Sequence, residues 1–364
     1  IPVWAAALAS ILIMCFYVIF GGAWGAGMGG IVKLVLLYAA SLVGMVYVLS
    51  VSHGIGGIFS ELIEQLCGTG LGLVQQSANG VSNLKDTADL ADRYGNLVAR
   101  GAMKDIGSGL SLMLGVLSTQ TYAQAVLSAE SDRKAKRGAL LSAMLIPPLG
   151  IAGICIGLFM RSHYMLQAEA ETLKAAGMAI PDLPELTSTI QVFPAFVLDY
   201  MPPLLAGIAL GTLLITSVGG GAGLSLGMAT ILIKDIYQRM TTKRMDEKKE
   251  LAATRGILGA ILVTAACVAS LVPGSTINDL GFLSMGLRGS VVLVPMSCAL
   301  WLKYDINKRW VLTAIVLAPA AVLVGKLLAL PIDSLYLGIL VSVLCCCAGG
   351  IMGREPGKRR ICDD

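Results

Sequence analysis

The side chains of this sequence that could bind a solute are polar groups set inside long apolar runs. Arg288 stands within one such run, Gly281-Phe-Leu-Ser-Met-Gly-Leu-Arg288. A guanidinium deep in an apolar segment must face protein or a water-filled cavity, because lipid cannot solvate its charge. Its forked donors match a carboxylate, which predicts a clamp for an anionic substrate. A structural arginine bonded to backbone carbonyls or to an acidic partner is the alternative, and both stay open.

A second group of candidates follows Gly107-Ser-Gly109, a stretch that could interrupt a helix and expose backbone groups to a ligand. Small polar residues there alternate with apolar ones. The predicted substrate-binding residues of this segment are Ser111, Gly115, Ser118, Thr119 and Gln120. Such residues also serve close packing between membrane helices, which is the alternative interpretation.

Other kinds of site find no support in the sequence. The nine Cys residues lack the spacing of a metal site, and the chain has only two His residues. No acid, base and nucleophile converge, so we predict that the protein is not an enzyme and uses no cofactor, with sodium as the only metal ion to consider. A net charge of +4 is modest and indicates no nucleic-acid partner.

The elements that must position these residues are membrane helices. The chain is 56% hydrophobic and only 14% charged, whereas soluble domains carry about 25% charged residues. Its mean hydropathy is +0.78. About nine apolar runs approach the roughly 20 residues that cross a bilayer. We expect spans at 3–20, 31–50, 107–129, 139–160, 203–231, 254–272, 280–302, 309–329 and 334–352. The fold class is therefore all-α, a polytopic membrane protein.

Lys and Arg set the expected orientation, because cytoplasmic connections retain positive charge. Basic residues cluster in four segments, 133–137, 234–255, 303–309 and 354–360. This alternation predicts a multi-pass protein with a cytoplasmic C-terminus, and we expect it in the plasma membrane, specifically the bacterial inner membrane. Residues 1–352 form the membrane domain and 353–364 a basic cytoplasmic tail. The long connections 51–105 and 161–200 then lie outside, and we expect short amphipathic helices in the first.

Three stretches occur in an order that is typical of a known carrier family. They are Tyr17-Val-Ile-Phe-Gly-Gly22, Gln120-Thr-Tyr-Ala-Gln124 with Leu127-Ser-Ala-Glu-Ser131, and Met201-Pro-Pro-Leu-Leu-Ala-Gly207 running on to Lys234-Asp-Ile-Tyr237. Together with Pro295 they resemble the sodium/solute symporter family, which includes proline, pantothenate, sialic acid and sugar symporters. The helix that ends in Asp-Ile-Tyr is the most specific of the three.

The resemblance implies a LeuT-type inverted-repeat bundle of about thirteen helices, with the solute site near the membrane midplane. The nine spans correspond to the family's last nine, so we expect that N-terminal helices are missing from this sequence, which also starts at Ile1 within an apolar run. The resemblance further implies a broken helix pair around Gly21-Gly22.

The resemblance also places the sodium ligands, and here the chain departs from the family. Where the family has a Ser-Ser or Ser-Thr pair upstream of the Asp-Ile-Tyr motif, this chain has Gly219 and Gly220, with Thr216 and Ser217 one turn earlier. Where many members have an Asp and then a Gln after the Gly-Gly pair, it has Gly30 and Lys33. These six positions are the equivalents of the ion site, and sodium as coupling ion is doubtful.

Three interpretations of Lys33 remain open. Its ammonium could snorkel to the cytoplasmic interface. It could replace sodium beside freed carbonyls near Gly219 and Gly220, as a lysine does in some sodium-independent carriers of this fold. It could also bind substrate.

The sequence therefore predicts a secondary transporter that moves a small polar or anionic solute by alternating access. Coupling to protons, or to no ion, is as open as coupling to sodium. A sugar is less expected, because the lysine of sugar symporters falls near Ile146 here. The alternative function is a symporter-like sensor without net transport. The partners are a small solute and the lipid bilayer, and the sequence leaves the oligomeric state unknown.

Overall fold

The fold is helical, as predicted. The computed structural model describes residues 3–73, 76–77, 80–81, 90–99, 101–119, 122, 126, 129–241, 246–271, 277–302, 306–328 and 332–352. The helices are α1 Val3–Val51, α2 Ile55–Gly68, α3 Leu90–Gly95, α4 Ala102–Leu117, α5 Asp132–His163, α6 Gln167–Ala175, α7 Val192–Tyr200, α8 Pro203–Thr230, α9 Glu247–Leu271, α10 Ile277–Trp301, α11 Lys308–Leu327 and α12 Ser334–Met352. Helix α8 continues as a π-helix, Ile231–Tyr237, and a helical turn, Gln238–Met240. Short 3₁₀ turns occupy Leu71–Leu73 and Thr189–Gln191. Strands β1 Gln76–Ser77 and β2 Gly80–Val81 pair antiparallel, and β3 Met165–Leu166 and β4 Glu185–Leu186 pair parallel.

Seven helices in the described residues are long and apolar enough to cross a membrane. They are Gly30–Val51, Asp132–His163, Pro203–Tyr237, Lys248–Ala269, Leu280–Trp301, Lys308–Leu327 and Ser334–Ile351. Each corresponds to a predicted span. The two other predicted spans are represented by shorter apolar helical stretches, Leu8–Tyr17 and Asp105–Leu117. A count of nine membrane helices stays a prediction.

The chain divides into two compact units. The first contains residues 1–95 and 136–271, and the second contains residues 96–135 and 272–364. Each unit has its own packing, and the two are described separately.

In the first unit, helix α1 packs against α8 with both of its halves. Nζ of Lys33 lies 3.8 Å from the point where a Cβ on Gly219 would stand, and Cε of Met14 lies 2.9 Å from the same point on Gly221. A straight helix would separate the Cα atoms of Met14 and Lys33 by about 28 Å. Gly219 and Gly221 are only two residues apart on α8, and the side chains of Lys33 and Met14 are too short to reach both of them from a straight α1. Helix α1 is therefore bent between Met14 and Lys33.

This bend corrects the predicted break at Gly21-Gly22. The backbone of α1 is helical throughout its 49 residues, so the predicted interruption at Gly21-Gly22 is wrong. Glycine in a helix costs roughly 1 kcal/mol but, unlike proline, removes no hydrogen bond and does not force an interruption. The glycine-rich segment therefore bends the helix without ending it.

The second half of α1 contributes to an apolar core with α5, α7 and α8. Val48, Phe159, Phe196 and Val197 are almost fully buried there. Gly44 makes this possible, because a Cβ at that position would meet side chains of α5 and α7 at 3.0 Å. This core fixes α5 against the connection that leads into α8.

The two long connections fold over one another. Helix α2 buries Ile58, Leu62 and Leu66, which recur every four residues on one face. Leu62 and Leu66 pack with Leu90 of α3 and Leu173 of α6 in a second apolar cluster, whereas Ile58 belongs to the first. The amphipathic helices predicted in residues 51–105 are therefore confirmed.

The second unit contains α4, α10, α11 and α12, packed through small residues. A Cβ on Gly115 of α4 would lie 2.5 Å from Cβ of Met285, and Gly289 lies against Leu335 of α12 and the Cα of Gly115. Gly338 lies equally close to Ser290. Such contacts allow helix backbones to approach closely where no hydrophobic force drives them together.

Helix α4 corrects a second prediction. It runs without interruption across Gly107-Ser-Gly109 and ends only after Leu117. The hydroxyl of Tyr336 on α12 donates a hydrogen bond to the Gly107 carbonyl at 2.5 Å. The Gly107 carbonyl therefore takes part in a contact with α12, and the helix needs no break to make it.

Candidate functional site

The first group of candidate residues surrounds the ammonium of Lys33, on α1 and α8 of the first unit. Lys33 is half-buried, and its Nζ faces Gly219. In the described part of the chain it forms no ion pair with a carboxylate. Helix α8 is unbroken here, so the predicted freed carbonyls are wrong, because Gly219 and Gly220 belong to a regular helix. The ammonium instead lies against a helix surface without side chains.

The other ion-site equivalents differ in their burial and in whether they have a hydroxyl that could bind an ion. Thr216, one turn before Gly219, has a buried hydroxyl without a hydrogen-bond partner in the described residues. Ser217 and Gly220 are exposed, and open space surrounds Gly220. Gly30 is half-buried, also with open space where a side chain would stand. The arrangement is therefore one ammonium, one hydroxyl without a partner in the described residues, and three glycines where the family resemblance expects side chains.

The Asp-Ile-Tyr motif, which is the most specific part of the family resemblance, lies in the π-helix that extends α8. A π-helix is rare and is often found at functional sites. Lys234, in the same segment, is exposed, and its Nζ lies 4.0 Å from a carboxylate oxygen of Glu250 on α9. The motif is thus part of the link between α8 and α9.

The second group of candidates lies on α4 and α10 of the second unit. Ser111 is fully buried, and its hydroxyl has no partner in the described residues. Arg288 is half-buried, and its Nε donates a hydrogen bond to the Ser284 carbonyl at 3.1 Å. Gly115 touches Met285 and Gly289, which flank Arg288 on α10. Ser111 and Arg288 therefore belong to one packed helix pair and keep hydrogen-bonding capacity that the protein does not use.

The remaining residues of this group have structural contacts. Gly115 provides the close approach between α4 and α10. Ser118 and Thr119 are buried and donate hydrogen bonds to the carbonyls of Leu114 and Gly115, at 2.9 and 2.8 Å. These bonds satisfy carbonyls at the end of α4. Gln120, the strongest candidate from the sequence, lies outside the described residues.

One motif could suggest an enzyme, and its context argues against it. Gly223-Leu-Ser-Leu-Gly227 has the spacing of the nucleophile motif of α/β hydrolases. That motif needs a sharp turn between a strand and a helix, but here it lies in the middle of α8. Ser225 donates its hydroxyl proton to the Gly221 carbonyl at 2.7 Å. The serine is a helix residue without an activating base.

Sequence reasoning missed a polar cavity in the long connections of the first unit. The cavity measures about 370 Å³ and is lined by Glu61, Gln65, Ser162, His163, Tyr164, Leu183, Pro184 and Tyr200. Nε2 of His163 lies 3.5 Å from a carboxylate oxygen of Glu61, and Ser52 donates to the other oxygen at 3.2 Å. The His163 ring also stacks on Phe159 at 4.1 Å. The only sequence signal was that His163 is one of two histidines.

Two tyrosines at this cavity are held in their neutral form. Tyr164 donates a hydrogen bond to the carboxylate of Asp199, and burial together with this carboxylate raises the pKa of Tyr164. Burial also raises the pKa of Tyr200, and the neighbouring charge of Asp199 adds to the effect. Both phenols are therefore donors over the whole physiological pH range.

A buried ion pair holds the neighbouring connection in place. Arg161 donates to both carboxylate oxygens of Glu169, at 3.0 and 2.9 Å, and to the hydroxyl of Tyr94 at 3.3 Å. Glu169 also accepts a bond from the backbone of Leu166 at 3.1 Å. In the described residues no three His, Cys, Asp or Glu side chains are grouped as metal ligands.

These features define a multi-pass α-helical membrane protein. One solved structure that matches it is a Na⁺-coupled sialic acid symporter in a substrate-bound, outward-open state. The match has a TM-score of 0.65 at 16% identity and covers 99% of this chain and 69% of the other. It shows that the fold is of the LeuT type.

The family follows from the sequence. The model of the sodium:solute symporter family matches residues 1–309, so the chain belongs to this family. Family and fold are those of secondary transporters, as predicted, and not of enzymes. Related sodium-coupled symporters use Na⁺ as the coupling ion. A comparison with curated proteins gives no match.

Proposed function

We propose that this protein transports a small polar or anionic solute by alternating access, with the ammonium of Lys33 in place of a sodium ion. The observation that supports the proposal is the position of Nζ of Lys33, 3.8 Å from the Cβ position of Gly219. At this place the family resemblance expects a hydroxyl ligand for sodium. A fixed positive charge there would repel a cation and supply the charge that sodium supplies elsewhere.

The solute class follows from the second group of residues. Arg288 has no acidic partner in the described residues, and the buried hydroxyl of Ser111 has no partner. A buried polar group without a hydrogen-bond partner in the protein is usually satisfied by a ligand or a water molecule. A carboxylate would satisfy the guanidinium with two parallel hydrogen bonds. The structurally similar symporter binds sialic acid, which carries a carboxylate, but its low identity leaves the solute of this chain open.

Sodium binding can be tested before the solute is known. Thermal unfolding of the purified protein would be followed in sodium chloride and in choline chloride of equal concentration. At about 100 times its Kd, an ion at one site would stabilise the folded state by about 2.7 kcal/mol. We expect equal midpoints in the two salts. A stabilisation specific for sodium would contradict the proposal.

Uptake then tests transport itself. Proteoliposomes would be supplied with a panel of radiolabelled carboxylates, including sialic acid, with and without a sodium gradient. We expect uptake that persists without sodium and collapses in Lys33→Ala. Lys234→Ala is the control, since Lys234 lies on the α8 extension but is exposed. Strict sodium dependence would overturn the role of Lys33, and solute binding without uptake would favour the sensor.

A further inference from the structure

The second unit contains a large apolar groove that the transport site does not use. It measures about 730 Å³ and lies at the C-terminal ends of α10 and α12. Its lining is Val294, Ser297, Cys298, Trp301, Leu302, Ile306, Val343, Cys346, Cys347, Gly350 and Ile351. The volume is within the range of roughly 300–1,000 Å³ that small-molecule sites occupy. Trp301 and Ile351 are about 80% exposed, at 79% and 82%. The rim is therefore open to its surroundings.

Two basic residues follow the groove closely along the chain. The residue that follows the lining residue Ile306 is Asn307, whose backbone N–H donates to the Gly349 carbonyl at 3.5 Å. This bond holds the start of α11 beside the end of α12. The next two residues, Lys308 and Arg309, are exposed and make no ion pair in the described residues. Two cations without an ion pair in the described residues therefore begin α11, two and three positions after the lining residue Ile306.

We propose that this groove binds an anionic phospholipid, with an acyl chain among the apolar side chains and the phosphate at Lys308 and Arg309. The two basic residues indicate which kind of lipid would bind. An apolar groove alone would accept any acyl chain, but two cations so near to it in the chain, unpaired among the described residues, favour a negatively charged headgroup. An exposed tryptophan at the same level is typical of the membrane interface, where headgroups lie.

The start of α11 adds to the attraction for a phosphate. Asn307 caps this 20-residue helix by accepting a hydrogen bond from the backbone N–H of Arg309 at 3.0 Å. The positive end of the helix dipole therefore coincides with the two cationic side chains. The segment 353–364 that follows α12 is a poor competitor for the groove, because most of its residues are charged or glycine.

The test compares lipids that differ only in the headgroup. Delipidated protein in detergent would be titrated with phosphatidylglycerol or with phosphatidylcholine of the same acyl chains, and the thermal midpoint would be measured. We expect phosphatidylglycerol to raise the midpoint at much lower concentration. Each basic residue near anionic lipid contributes about a fivefold gain in affinity, so Lys308→Gln with Arg309→Gln should weaken the effect about 25-fold.

Two further variants separate the proposal from its competitors. Lys248→Gln with Lys249→Gln removes two exposed lysines of α9 and should leave the lipid response unchanged. Ser297→Trp fills the groove, keeps the cations and should abolish the response. Equal effects of both lipids, or an equal loss in the α9 variant, would overturn the proposal. So would a dimer that forms through this face and is insensitive to lipid.

Discussion

At the scale of single residues, side chains are missing at positions where the family resemblance expects sodium ligands. Gly219 faces the ammonium of Lys33, and Gly220 faces open space. A hydroxyl at either position would therefore fit without displacing the backbone. In the proposed function, this protein would differ from a sodium-coupled carrier by one ammonium and by the side chains missing at Gly30, Gly219 and Gly220.

We predict that sodium binding can be restored at this place. The triple variant Lys33→Gln, Gly219→Ser, Gly220→Ser removes the competing charge and supplies two hydroxyl ligands. Sodium should then raise its thermal midpoint relative to choline, while the starting protein shows no difference. As the control, Gly256→Ser with Gly259→Ser adds two hydroxyls on α9, where open space also surrounds both glycines. A triple variant that folds but still ignores sodium would show that the ligands lie elsewhere.

A second prediction concerns the ion pair of Arg161 and Glu169. Their side chains are 20% and 3% exposed, so removal of the carboxylate leaves a largely buried guanidinium without its partner. Glu169→Ala should lower the free energy of unfolding by about 3–5 kcal/mol, measured by denaturant titration in detergent.

An exposed ion pair between a basic residue and a glutamate provides the control. Lys134 and Glu130 are 62% and 79% exposed, and exposed pairs contribute only about 0–1 kcal/mol. Glu130→Ala should therefore have little effect. If both variants lost stability equally, burial would not be the reason for the importance of Glu169.

At the scale of elements, glycine has two opposite roles within the single helix α4. Gly115 lies in a contact so close that an added Cβ would be 2.5 Å from Cβ and 3.1 Å from Cα of Met285. Gly109 has open space at the same point. One glycine is required by the neighbour α10, and the other only weakens its own helix.

Alanine substitutions should distinguish the two roles. Gly115→Ala should destabilise the protein by about 1–3 kcal/mol, because a helix backbone must move to admit the methyl group. Gly109→Ala should be neutral or stabilise it by up to about 1 kcal/mol, since alanine favours the helix. The measurement is the unfolding midpoint of both variants in the same detergent. A loss at Gly109 larger than at Gly115 would refute this account of the α4–α10 contact.

The sequence predicted the elements better than their contacts. Apolar runs located the helices, because the length and composition of a membrane helix are properties of one segment. The break expected at Gly107-Ser-Gly109 was wrong, because glycine permits a bend, a close contact or an interruption, and only the neighbouring helix decides which. The pairing of Glu61 with His163 was missed for the same reason, since their encounter depends on how two connections fold together.

At the scale of the whole molecule, seven helices of membrane-crossing length in the described residues and a LeuT-type fold agree with the family. The ion-site equivalents all belong to the first unit, and the described substrate candidates all belong to the second. Residue-level variants in one unit can therefore be compared with controls in the same unit. The orientation in the membrane remains a prediction from the distribution of Lys and Arg.

Native cysteine chemistry can test that orientation. Cys67 is exposed on α2, in the connection 51–105 that the charge distribution places outside. A maleimide that cannot cross membranes should label the protein in intact cells, and Cys67→Ser should remove the label. In the described residues, the other exposed cysteines are Cys267 and Cys347, which lie within apolar spans where lipid shields them from a water-soluble reagent. Cys362 lies outside the described residues, so it is replaced by Ser in every variant.

A cysteine on the opposite side completes the experiment. Lys249→Cys, introduced into the protein that carries Cys67→Ser and Cys362→Ser, places an exposed thiol at the start of α9, within the basic segment 234–255. This thiol should react only after the membrane is permeabilised. The two labels report on opposite sides, so the reverse pattern would invert the whole topology. Lys33 and Gly219 would keep their contact in that case, but their access to the two solutions would be exchanged, and the direction of transport in the uptake assay would have to be assigned the other way round.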